Sequence, residues 1–192
     1  MKSSLLTAHD IGSGTRSTSL TIVGFNRSAV PSCADSIIKL PGRPSTAAHQ
    51  YGPPDPRYTG ENYAVLGAVY PDATSAASAF AGMRSKVSAC PGKQHVRSKK
   101  VGANQATLPY DQTWRTTTDS TAGWTHVRSF EKRTYSPSVS VINVEYQAYD
   151  YALHGNAVIA SLYWKRVKPS ASGDPVAKQA TALLTKQLAK FG

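Results

Sequence analysis

The sequence predicts an α+β fold: a central antiparallel sheet with packed helices and one disulfide. Two segments carry apolar residues at helical spacing, the stretch between them is rich in β-branched and aromatic residues, and the chain has just two cysteines. Helix, several strands, then helix is the order that α+β domains show. A length of 192 residues suits one domain over 1–192. With 40% hydrophobic residues a core can form, and 17% charged with abundant Ser, Thr and Ala is a profile of exported proteins.

Leu5, Leu6 and Ile11 are spaced to pack as a short helical turn ahead of Gly12-Ser13-Gly14-Thr15. Ser19-Leu20-Thr21-Ile22-Val23-Gly24 reads as a strand. Ala29 to Leu40, holding Cys33, Ile37 and Ile38, reads as a short helix stopped by Pro41-Gly42. Residues 41–60, with Gly52-Pro53-Pro54-Asp55-Pro56, read as a long Pro/Gly-rich loop. Asn62 to Tyr70 is strand-like, and Pro71-Asp72 opens an amphipathic helix with Asp72 as N-cap. Ala73, Ala76, Ala77, Phe80, Met83 and Val87 share its apolar face, which runs round to Cys90.

After Pro91 the pattern turns to strands, at 94–101, 112–118, 124–134, 138–148 and 156–166. Val139, Val141, Ile142, Val144 and Tyr146 mark the fourth, and Val158, Ile159, Leu162, Tyr163 and Trp164 the fifth. His154-Gly155-Asn156 between them is a turn signal, so the two pair as an antiparallel hairpin. A last helix starts at Asp174-Pro175, with Asp174 as N-cap and Pro175 at N1. Val176, Ala180, Leu184, Leu188 and Phe191 form its stripe, and Lys186 and Lys190 suit its C-terminal dipole.

The net charge is +11, from 22 Lys and Arg against 11 Asp and Glu. Such an excess draws polyanions (nucleic acid, anionic lipid or acidic wall polymer) or simply keeps the chain soluble. The basic residues are scattered, with one dense cluster at Arg97-Ser98-Lys99-Lys100. No run reaches the ~18 apolar residues that a membrane span needs. Met1-Lys2-Ser3-Ser4-Leu5-Leu6 has no apolar core before His9, so it is not an intact signal peptide. The expectation is an extracytoplasmic protein whose export signal or lipid anchor is absent from this chain. Cys33 and Cys90 have no further cysteine or nearby histidine to complete a metal site. One disulfide is expected, with two free buried thiols as the alternative.

Catalytic chemistry finds little support. The five histidines, His9, His49, His95, His126 and His154, make no metal-ligand spacing. His9 and Asp10 are adjacent, and adjacent helical residues point apart. No nucleophile elbow, phosphate loop or dinucleotide fingerprint is present. Nor is there an RNP-like motif or a basic stripe, and nucleic acid is not an expected partner. No cofactor, metal or catalytic residue is expected. Aromatics are dense in the second half, above all in Tyr146-Gln147-Ala148-Tyr149-Asp150-Tyr151. Tyrosine joins apolar area to a hydroxyl, which serves either a ligand or a half-buried sheet face.

The opening Leu5-Leu6-Thr7-Ala8-His9-Asp10-Ile11, then Tyr70-Pro71-Asp72-Ala73 with Ala76, Ala79 and Phe80, then Cys90 at a helix end, then Gly155-Asn156-Ala157-Val158-Ile159, together resemble a known family. It is that of the PknH-like extracellular sensor domains of actinobacteria, found at the outer end of some receptor Ser/Thr kinases and as free lipoproteins. The resemblance spans nearly the whole chain through short motifs. It implies a central antiparallel sheet with helices against it, a ligand cleft outside the membrane and no catalysis. It also implies Cys33 as the partner of Cys90, and a membrane-anchored signalling protein as a partner. Family members often carry a second disulfide across the penultimate hairpin; here Lys132 to Tyr149 has no cysteine, and Tyr149 stands near one of those positions.

The expected function is therefore that of an extracytoplasmic sensor that binds a small molecule or an anionic cell-envelope component. Arg128, Tyr146, Tyr149, Tyr151, Asn156 and Tyr163 are its candidate ligand residues. Two alternatives stand beside it: a secreted protein-interaction module using the 41–60 loop, and a hydrolase whose triad converges from distant residues.

Overall fold

Long strands with apolar residues on both faces, and two helices with one apolar stripe each, are all covered when a sheet carries a helix on either side. The structure, a computed structural model describing residues 4–22, 24–54, 60–102 and 105–191, has this form. Its elements are α1 (Ala8–Ile11), β1 (Arg16–Thr18), β2 (Ala29–Pro31), β3 (Ile37–Lys39), β4 (Ser45–Gly52), β5 (Asn62–Val69) and α2 (Ala73–Ser88). Then follow β6 (Lys93–Val96), β7 (Lys100–Gly102), β8 (Gln105–Ala106), β9 (Tyr110–Thr121), β10 (Trp124–Tyr135), β11 (Val144–His154), β12 (Ala157–Val167) and α3 (Asp174–Ala189). Eight strands pair in the order β1-β4-β5-β12-β11-β10-β9-β6, every pair antiparallel. The ladders β2–β3 and β7–β8 stand apart from this sheet, which dominates the fold.

Helix α2 forms because Asp72 accepts from the Ser75 amide at 2.7 Å and an apolar stripe follows. Ala76, Ala79, Phe80, Met83 and Val87 bury that stripe against Leu66, Val127, Tyr149, Tyr151 and Leu162 on one sheet face. Helix α3 covers the other face, setting Val176, Ala180, Leu183, Leu184 and Leu188 against Val65, Ala148, Ile159 and Tyr163. Each large apolar side chain so buried contributes roughly 1.5–3 kcal/mol. The α3 face is tied to the start of the chain: Gln187 accepts from the Leu6 amide at 2.9 Å and donates to the Ser4 carbonyl at 2.8 Å. Lys190 also pairs with Asp10 at 2.6 Å. Between two covered faces, β11 is buried without a break from Val144 to Ala152. No described helix is long and apolar enough to cross a membrane.

Several local expectations are corrected. Leu20 to Ile22 are not in a strand; the Thr21 and Ile22 amides donate to the Gln50 side chain, at 2.8 and 3.2 Å, instead of to a ladder. Val23 of that segment lies outside the described residues. Ala29 to Leu40 is no helix but β2, a short 3-10 turn at Cys33–Asp35, and β3. Pro31 has no amide for a helix to use, and Ile37 and Ile38 alternate between exposed and buried. Within the expected 41–60 loop, Ser45–Gly52 is a strand held between β1 and β5. That shortens the loop on which the interaction-module reading relied; 55–59 lie outside the described residues. The expected strand at 138–148 starts at Val144 and runs on to His154, while Val139 and Val141 are exposed after Pro137. The 94–101 strand breaks into β6 and β7, and 112–118 lengthens to Tyr110–Thr121. In α3, Gly173 is the N-cap and Asp174 the first helical residue.

Candidate functional site

Trp114 Nε1 donates to the Val87 carbonyl at 3.0 Å, which places that side chain at the last turn of α2. On the same sheet face Gln112 and Tyr110 precede it along β9, and strand alternation sets Glu131, Arg133 and Tyr135 of β10, Glu145 and Gln147 of β11, and Trp164 and Arg166 of β12 beside them. This part of the face carries polar groups. A flap made of β2, the 3-10 turn and β3 crosses it.

Bonds at several points hold the flap down. The Cys33–Cys90 disulfide, with Cα atoms 6.0 Å apart, joins it to the end of α2. Tyr151 donates from its hydroxyl to the Pro31 carbonyl at 2.6 Å, and the Ala34 amide donates to Gln112 Oε1 at 3.0 Å. The turn is strained: Ala34 and Asp35 both take left-handed backbone, at φ 52° and 56°. For a residue with a Cβ that conformation costs about 1–2 kcal/mol.

Between flap and sheet lies a cleft of about 520 Å³. Ile22, Leu108, Tyr135, Leu162 and Trp164 give it apolar walls. Its floor is a charged network on Arg133, whose side chain is 8% exposed. Arg133 pairs with Asp35 of the flap at 2.8 Å and with the fully buried Glu131 at 2.9 Å, and donates to the Tyr149 hydroxyl at 3.2 Å. Its guanidinium lies 4.7 Å from the Tyr110 ring centre, while Arg166 lies 5.0 Å from that of Tyr135 and pairs with Glu145 at 3.0 Å. The two tyrosine rings are 5.5 Å apart, so the cations and rings form one packed row. Burial pushes the Glu131 carboxyl above its ordinary range, against the pull of Arg133. Among the described residues, Glu131 Oε1, Arg133 Nε and Gln112 Nε2 are buried without a hydrogen-bond partner.

The six residues singled out from sequence do not converge. Tyr149 reaches the cleft. Tyr151 lies on the same face but in the core beneath α2. Tyr146, Tyr163 and Arg128 are on the opposite face; Tyr163 is packed in the core there. Tyr146 lines a smaller hollow of about 300 Å³ with Arg115, Phe130 and Lys132. Arg128 makes two bonds to the buried Asp150, at 2.6 and 2.9 Å, and bonds to Thr181 of α3. Asn156 braces the hairpin turn by donating to the Tyr70 carbonyl at 2.9 Å. Arg133, Asp35 and Arg166 were not among those six. Arg133 had a signal in the alternation Glu131, Arg133, Tyr135, which sets two charges and a ring on one strand face; Asp35 had none of this kind.

No family model and no curated relative matches the sequence. The fold is similar to a solved structure, the extracellular domain of PknH from Mycobacterium tuberculosis, with a TM-score of 0.62. The match covers 98% of this chain and 95% of that one at 11% identity, a likeness of fold.

Proposed function

We propose that the chain is a non-catalytic, extracytoplasmic sensor domain whose ligand occupies the cleft between flap and sheet. The observation that carries this reading is the cleft itself: about 520 Å³ of mostly apolar lining over a buried polar network. The disulfide supports an oxidising compartment, and the fold likeness to an extracellular domain points the same way. A membrane-anchored signalling protein is the partner this reading implies. Arg133 and Arg166 each hold a carboxylate, so the cleft suits a small amphipathic molecule better than a polyanion.

The hydrolase alternative cannot use His126 as its base. Both ring nitrogens of His126 are taken by carboxylates, Asp119 at 2.7 Å and Asp150 at 2.8 Å, which leaves none to activate a serine.

The test is native mass spectrometry of protein purified without denaturant, followed by thermal-shift screening of envelope extracts and metabolites. A ligand should stabilise the natural chain by about 2.7 kcal/mol at a hundred times Kd. Trp164→Ala, which strips one wall, should lose most of that shift. A ligand that stabilises both proteins equally would place binding elsewhere and end the cleft reading.

A further inference from the structure

The flap that closes the cleft puts its own carboxylate on the floor's cation. Asp35 lies 2.8 Å from Arg133 Nη1, and Tyr110 donates from its hydroxyl to Asp35 at 3.2 Å. The other partners of Arg133, Glu131 on the same strand and Tyr149 on the neighbouring β11, are built into the floor. Asp35 alone comes from outside the sheet, 40% exposed, through two consecutive left-handed residues. Resting on the reading of the cleft as the ligand site, we propose that Arg133 Nη1 and the Tyr110 hydroxyl form an oxyanion subsite that Asp35 fills when the cleft is empty. The ligand is then an apolar body bearing one carboxylate or phosphoryl group, which displaces Asp35 and lets the flap turn go.

Three features support the exchange. It conserves charge: one anion leaves Arg133 and another arrives, whereas displacement of Asp35 by a neutral group would leave the guanidinium with Glu131 as its one anionic partner. Nη2 is held by Glu131 and Tyr149, so Nη1 and the Tyr110 hydroxyl are the two donors that meet the incoming oxyanion, the first of them charge-assisted. The displaced Asp35 returns to solvent easily, because its side chain is already part-exposed. The disulfide at Cys33 and the Ala34–Gln112 bond limit the movement to Asp35 and Ser36.

The experiment titrates 2-naphthoate, 2-naphthyl phosphate and neutral 2-naphthamide into the disulfide-intact chain, the Asp35→Asn variant and the double variant Asp35→Asn/Arg133→Lys. Asp35→Asn should bind the better anion about tenfold more tightly than the natural chain, the gain expected when a competing charge-assisted bond is lost. The amide should bind both alike, and Arg133→Lys, whose single ammonium cannot hold Glu131 and also present the Nη1 donor, should erase the gain. The preferred anion separates a carboxylate from a phosphoryl ligand. If Asp35→Asn does not fold, hydrogen exchange on the natural chain decides. Saturating anion should speed exchange of the Ser32 and Ser36 amides, which now donate to Ser36 and Cys33 carbonyls at 2.8 and 3.0 Å. Unchanged exchange with anion bound, or equal anion affinity with and without the Asp35 carboxylate, would overturn the subsite. So would naphthamide binding as tightly as the anions, although the cleft would then stand as a neutral-ligand site. Failure of all three probes on folded Asp35→Asn also ends the subsite, and the cleft reading is then judged by the native mass spectra alone.

Discussion

Tyr149 on β11 donates from its hydroxyl to Glu131 Oε2 on β10 at 2.6 Å, diagonally across a ladder in which their direct partners are Ser129 and Gln147. The contact makes the floor of the cleft part of the sheet's own packing, since both side chains are buried. A buried carboxylate is tolerated there because Arg133 faces it at 2.9 Å.

Removing that cation should be costly. Arg133→Met leaves Glu131 without its charged partner, and breaking a buried pair in this way costs about 3–5 kcal/mol. The sign of the pH dependence follows from Glu131, whose folded-state pKa burial already raises. With Arg133 gone it rises further, so the penalty should be smallest below the ordinary carboxyl value of 4.5 and grow as pH climbs past it. Urea unfolding from acid to neutral pH measures this. A variant within ~1 kcal/mol of the natural chain at neutral pH would show that the network does not depend on Arg133.

The penalty for losing His126 runs the other way with pH. Burial works against its charge, but Asp150 and then Asp119 outweigh it and raise its pKa above the ordinary 6.5. A group raised in the folded state contributes stability that is fully present below 6.5 and lost as pH rises through the folded value. His126→Gln should therefore destabilise the protein more at about pH 5.5 than at about pH 9. Thermal melts at the two conditions decide it, and a penalty independent of pH would mean that the ring is held neutral.

The disulfide closes a loop between residues 57 apart. On the chain-entropy model the paired Cys33→Ser and Cys90→Ser changes should lower stability by about 4 kcal/mol. The structural consequence should be local to the flap, because Cys33 joins the strained turn to the end of α2. Exchange of the Ser36 amide should rise in the variant while the amides of β11, in the middle of the sheet, keep their relative order of protection. Equal loss of protection everywhere would show that the bond holds the whole fold and not the flap.

Sequence patterns carried the two long helices and the hairpin, for identifiable reasons. Asp72 caps α2, apolar stripes mark α2 and α3, and Gly155 turns at φ 53° between β11 and β12. β4 was illegible because Ser45-Thr46-Ala47-Ala48-His49-Gln50 has few strand formers; pairing between β1 and β5 makes it a strand. The reverse happened at Val139 and Val141, strong β-formers left in a loop after Pro137 while the ladder chose the Tyr-rich stretch that buries two faces. Period-two alternation already separates Tyr149 and Tyr151 from Tyr146. What no local pattern shows is that Asp35 meets Arg133, because the flap is placed by the disulfide and by Gln112.

Gly173, the N-cap of α3, lines the smaller hollow with its backbone packed against Tyr146 and Phe130. A Cβ built there would sit 2.7 and 2.8 Å from two atoms of the Tyr146 ring and 3.0 Å from the Phe130 ring. The backbone angle, φ −80°, would accept any residue, so the demand for glycine is one of space. Phe130 and Tyr146 are stacked 5.7 Å apart and cannot part without disturbing the Tyr146 hydroxyl, which donates to the Ala171 carbonyl at 3.3 Å. Gly173→Ala should thus destabilise by about 1–3 kcal/mol, as overpacking does. Adding Tyr146→Ala to it should recover part of the loss, because the ring that the methyl meets is gone. Denaturant unfolding of the four proteins in that cycle gives the coupling. Strictly additive costs would mean that the helix start moves to make room, and that α3 is not anchored through this contact.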